Sequence, residues 1–370
     1  MTTISHIENL LVQRETASSL SHSENTAILP TFGNASPIPT PVGYHALNTL
    51  RTIAFAADDS LWQLFGAIIF KWTADSDNFE TVRDNEEAFV TQQRNALPPQ
   101  EREHILLDIR KQVATAPVVF VLPEEVANFA EFSGEEEQDC KMATGAHLRT
   151  EEGVSTLYLL PFLLAAQRFT DEHRSEIEPA SYEEELSALV VLVAKTIVHE
   201  TRHLVGALFE SKTPRLVHGS FPVPADDKAA HYWERTRYGS IIAASFVALH
   251  SEQLKDARLM LLGALPGGNS VRRVDAATVG SVARTIRRGG LFDNLRFFSA
   301  SYSYPVAKTD RYWESVDGDA QIFSIPEGVY EPKPVLLSSL TPDQYWRVCA
   351  TNYRGVIHGR SSKEKQPKSG

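Results

Sequence analysis

Two histidines four residues apart, His199 and His203, with an acid directly after the first, Glu200, are the residues of this chain best suited to chemistry. On a helix, positions i and i+4 share a face. The spacing therefore aims both imidazoles at one point, where a divalent metal can sit. Glu200 lands beside that point and can act on a water held there.

The chain has 12 His and 47 acidic residues, so a five-residue match carries weight only through its context. The run before it, from Tyr182 to Val198, has apolar residues at 186, 189, 190, 193, 194 and 197. Those positions fall on one helical face. Ser181 reads as the N-cap, and Glu183, Glu184 and Glu185 suit the positive first turn. The helix is predicted to run on through Leu208 and stop before Pro214. Two His and a Glu inside a mostly buried helix are costly without a purpose.

A catalytic zinc has three protein ligands and one open position. The third ligand is expected downstream, on a helix predicted over about 226–250. Asp227, His231, Glu234 and Tyr238 recur at offsets of four, three and four, and the stripe continues into Ile241, Ile242 and Ser245. A polar stripe that faces inward is informative. Glu234 is the first choice as a ligand, Asp227 the second and His231 the third. Asp227 is also suited to capping the helix after Pro224, and His231 to a hydrogen-bonded place in the core.

The motif helix and the helix after it, roughly 182–250, resemble the zincin metallopeptidases, and within them the gluzincins, whose third ligand is a glutamate. The resemblance implies one zinc ion on His199, His203 and Glu234, with Glu200 as general base and then acid. It implies a peptide or protein substrate, and an α+β fold, mostly helical, with a small mixed sheet N-terminal to the motif helix. Strands predicted at 118–122 and 156–160 fit that order. Many gluzincins carry an Asp four residues after the third ligand, where this chain has Tyr238. Another group pairs an Asp ligand with a following Tyr-Gly; here Tyr238-Gly239 follows Glu234 at a different offset. A donor to the developing oxyanion is also expected, and Tyr238 and His218 are the candidates. The alternative is a protein of the same scaffold acting on a non-peptide bond in biosynthesis, or one that binds without catalysis.

Size and composition bound these readings. Apolar residues make up 42% and charged residues 22%, which suits a globular chain of 370 residues. A net charge of −11 argues against a general nucleic-acid partner. Two cysteines, Cys140 and Cys349, make no disulfide framework, and two thiols in a reducing compartment are expected. The first residues lack a basic start followed by an apolar run. The longest apolar stretches, near 61–72 and 155–166, are too short for a bilayer. A cytoplasmic protein without a membrane partner is expected.

Four regions are predicted: a flexible lead over 1–42, a lobe of helices and small sheet over 43–180, a helical lobe over 181–355, and a disordered tail over 356–370. Helices are predicted at 44–57, 59–72, 84–96 and 100–113, then at 254–263, 275–288 and 341–350. The segments 295–305 and 320–337 read as strands or loops. The acidic segment 124–139 reads as a solvated loop or helix face, since its spacing fits no calcium loop. Arg284, Arg287 and Arg288 read as a solvated basic face.

Overall fold

The computed structural model describes residues 42–72, 79–133, 137–149, 155–210, 242–251, 253–264, 271–290, 313–315, 321–323 and 334–336. These form a mixed α+β fold, mostly helical, with two sheets. Four helices come first: α1 (Val42–Ala54), α2 (Asp58–Ile69), α3 (Phe79–Ala96) and α4 (Pro99–Thr115). Arg94 and Arg110 reach back from α3 and α4 to Asp59 and Asp58, at 2.6 and 2.8 Å, and tie both helices to the start of α2.

A three-stranded mixed sheet follows, built from β1 (Val118–Phe120), β2 (Gly145–Arg149) and β3 (Ser155–Leu159). Its order is β1-β3-β2, with β1 parallel and β2 antiparallel to β3. This sheet lies N-terminal to the motif helix, as expected. The acidic segment between β1 and β2 forms α5 (Val126–Ser133) and α6 (Glu137–Met142). Their apolar sides, with Ala146, Leu148, Tyr158 and Leu160, make a small core that holds Cys140. Helix α7 (Pro161–His173) was not predicted. Pro161 reads as the end of a strand, but it is also suited to the first turn of a helix.

The motif lies in α8 (Pro179–Glu210), 32 residues long. It starts two residues before Ser181, so Ser181 is not its N-cap and the three glutamates lie beyond its first turn. Every residue from Ser187 to Arg202 is buried. The expected face is there, but Val191, Leu192 and Val198 on other faces are equally closed to solvent. Helices α1, α2 and α7, β2 of the first sheet and the strand Arg258–Ala264 of the second sheet pack around it. Such a helix is the core itself rather than an amphipathic cover for it.

Residues 211–241 lie outside the described part of the chain. Where it resumes, the sequence expectation changes most. Ala243–Ala248 is a strand, β4, not the end of a helix from 226. The stretch expected as a helix over 254–263 is largely β5 (Arg258–Ala264). With β6 (Val271–Val274), β7 (Trp313–Ser315), β8 (Gln321–Phe323) and β9 (Pro334–Leu336) they form an antiparallel sheet of order β7-β6-β5-β4-β8-β9. Phe246 on β4 packs against Phe162 and Phe169 of α7.

Helix α9 (Ala276–Arg287) matches the expectation, with Asp275 capping the Thr278 N–H at 2.8 Å. Arg284 and Arg288 are exposed, and Arg287 pairs with Glu183 of α8 at 2.6 Å. The expected helix at 341–350, the lead before residue 42 and the tail lie outside the described residues. No helix among the described residues is long and apolar enough to cross a membrane.

Candidate metal centre

Helical geometry brings the two histidines together. Nε2 of His199 and Nε2 of His203 lie 3.1 Å apart, with ring centroids 5.0 Å apart and planes at 59°. Two nitrogens bound to one tetrahedral zinc at about 2.0–2.1 Å would lie about 3.3 Å from each other. The observed spacing is close to that of two ligands sharing an ion. It is equally a hydrogen-bond distance, with one imidazole donating to the other. His199 is buried, and His203 is half-buried one turn further on.

The intervening residues anchor the turn. Thr201 Oγ1 donates to the Ile197 carbonyl at 2.6 Å. Arg202, itself buried, sends Nη1 to the Leu64 carbonyl in α2. One turn earlier, Lys195 Nζ donates to the Ile242 carbonyl at 2.6 Å, and Thr196 Oγ1 donates to Thr144 Oγ1 at 2.9 Å. Lys195 and Arg202 thus spend their charges on backbone carbonyls of two different elements. Such bonds to charged donors are stronger than neutral ones. They fix the rotation of α8, and with it the direction of the histidines.

Glu200 is 3% exposed and lies against the edge strand β2. At Gly145, the first residue of β2, a Cβ would come within 3.1 Å of Glu200 Cγ, 3.2 Å of Oε1 and 2.6 Å of Thr196 Cγ2. Glycine is required there because strand and helix approach too closely for a side chain. Neither Gly145 nor Thr196 stood out in the sequence. The only hint was a glycine opening a weakly alternating run, Gly145-Ala-His-Leu-Arg149.

Of the candidates named from sequence, His199 and His203 are thus brought together, and Glu200, next to His199 in the chain, is buried against β2. Glu234, Asp227, His231, Tyr238 and His218 lie outside the described residues. Among the described residues, no three His, Cys, Asp or Glu side chains gather into a metal-binding group. The donor set present suits a divalent ion as two neutral nitrogen ligands, and a third ligand has to come from elsewhere in the chain. Compared with protein-family models, with curated proteins and with solved structures, the chain matches none.

Proposed function

We propose that this chain is a zinc-dependent hydrolase of the zincin type that cleaves peptide bonds. The observation that carries the reading is the convergence of His199 Nε2 and His203 Nε2 to 3.1 Å, with the buried Glu200 next to His199 in the chain. The mixed sheet ahead of the motif helix supports the zincin comparison, because its edge strand β2 runs along the helix next to Glu200. His199 and His203 would hold one zinc ion, with Glu234 as third ligand ahead of Asp227 and His231. Bound there, the ion would supply a Lewis acid that acidifies water and polarises a carbonyl.

The residues of the chain do the proton work. Glu200 accepts a proton from the attacking water on its carboxylate and passes it to the nitrogen of the departing amine. Tyr238 and His218 are the proposed donors to the oxyanion from the segment after α8. The test is turnover of a mixed peptide library by the purified chain, lost with a chelator and restored by zinc. Stoichiometric zinc with no peptide turnover would instead favour a non-peptide substrate or a binding role. Absence of zinc would end the reading.

A further inference from the structure

We propose that Lys195 is a positioning residue for the metal, tying the chain that brings the third ligand to the motif helix one turn ahead of His199. The inference rests on the hydrolase reading and extends it to a residue outside the sequence motif.

Lys195 stands in an apolar row. Leu192, Val191 and Ala188, one and two turns before it on α8, are buried, and Lys195 continues their stripe at 1% exposure. A leucine or methionine would fill that place without the cost of taking a charge out of water. What the lysine adds is its bond. Nζ donates to the carbonyl of Ile242 at 2.6 Å, and Ile242 is itself closed to solvent. A charged donor and a carbonyl, both buried, make a strong bond. Ile242 is where the chain rejoins the described fold, directly ahead of β4. Ile242, Ala244 and Phe246 alternate into the main core, so the strand side of the bond is as fixed as the helix side.

The place of that bond gives it a role. Lys195 and His199 share a helical stripe, one turn apart. Glu210, the last residue of α8, stands about 10 Å beyond His203 along the axis, at 1.5 Å per residue. The connection 211–241 thus leaves the helix past the motif turn, and its far end is tied to a residue ahead of the motif turn. All three candidates for the third ligand, Glu234, Asp227 and His231, belong to that connection. Pinning both ends to the helix that carries His199 and His203 lowers the entropy a ligand on the connection has to lose when it meets the ion. Without the tie at Ile242 that advantage is lost. Removing a group that holds a metal ligand in place typically weakens binding by about 10–100-fold.

The test measures the zinc dissociation constant of the full chain by competition with a chromophoric chelator. It compares the wild type, Lys195→Met, a third-ligand variant and the double variant. The third-ligand variant is whichever of Glu234→Ala, Asp227→Ala and His231→Ala weakens zinc binding. Expected is a roughly 10–100-fold weaker affinity in Lys195→Met, with little further loss once the third ligand is gone, because Lys195 acts through it. Unchanged affinity in Lys195→Met overturns this inference and leaves the hydrolase reading in place. So does a loss of equal size in both backgrounds, which assigns Lys195 to the helix of the histidines alone, and so does full affinity in all three third-ligand variants. Hydrogen exchange on the wild type decides the matter if Lys195→Met does not fold. Zinc should slow exchange in peptides spanning 242–248, and an unchanged rate overturns the inference. Wild-type protein that binds no zinc overturns the hydrolase reading and this inference with it.

Discussion

Gly145 and Glu200 touch across the seam between the first sheet and the motif helix, closely enough that a methyl group on Gly145 would stand 3.2 Å from the carboxylate oxygen Oε1. The same methyl would stand 2.6 Å from Thr196 Cγ2, which cannot swing away. Thr196 is β-branched in a helix, and its hydroxyl is held by Thr144. Gly145→Ala should therefore cost about 1–3 kcal/mol of stability through overpacking. It should also lower kcat by roughly 10²-fold, as expected when a catalytic group is displaced by about 1 Å. Adding Thr196→Ser removes the offending methyl and keeps the hydroxyl, so the double variant should recover most of both losses. Denaturant midpoints and kcat, measured on all three proteins, check the pair; a silent Gly145→Ala would refute the close approach.

Glu200→Gln keeps the shape of the side chain and removes its charge. Zinc should stay bound, since the proposed ligands are His199, His203 and Glu234, while kcat should fall by about 10²–10⁴-fold. Full activity in this variant would remove Glu200 from the reaction.

The motif turn was legible in the sequence for a physical reason. Histidine spacing, a long apolar run and the absence of Gly or Pro from Ala180 to Val205 all point to one helix, and α8 obeys them. Strand β2 was not legible, because Gly145-Ala-His-Leu-Arg149 shows only Ala146 and Leu148 as apolar alternates. Strand β4 misled for the opposite reason. Ile242 to Ala248 is apolar at nearly every position and buried on both faces, so it carries no period of two, and its alanines favour a helix. In β5 the run Arg258-Leu-Met-Leu-Leu is made of helix formers, and pairing with β4 and β6 overrides them. The residues that position Glu200 come from β2, where pattern is weakest. Only the partner helix makes Gly145 necessary.

Loss of either histidine should remove the metal. His199→Ala and His203→Ala should each contain little zinc by elemental analysis, and neither should respond to a chelator in a thermal melt. The wild type should respond. At free zinc 100 times the dissociation constant, an ion bound only by the folded state adds about 2.7 kcal/mol, which a chelator takes away. Equal melting temperatures with and without chelator would mean that the 3.1 Å approach of the two rings is a hydrogen bond and nothing more.

Acid should weaken the fold through the buried His45 and the half-buried His147. His45 is held at a pKa of about 4 by burial and, secondarily, by the charge of Arg287, and His147 at about 4 by burial and Arg149. Both lie below the ordinary value of about 6.5, so the unfolded chain binds protons more readily than the folded one. Their contribution is fully present above pH 6.5, and is lost as the pH falls from there to about 4. For His45, 6% exposed and with an unbonded Nδ1, the loss between pH 7.5 and 4.5 is on the order of 2.5 kcal/mol. It is smaller for His147, which is half-buried. Urea unfolding at the two pH values should show this drop in the wild type, and a smaller one in His45→Gln, which has no proton to gain. An acid loss of the same size in both proteins would mean that His45 is already charged in the folded state, and that its contacts with α9 tolerate the charge.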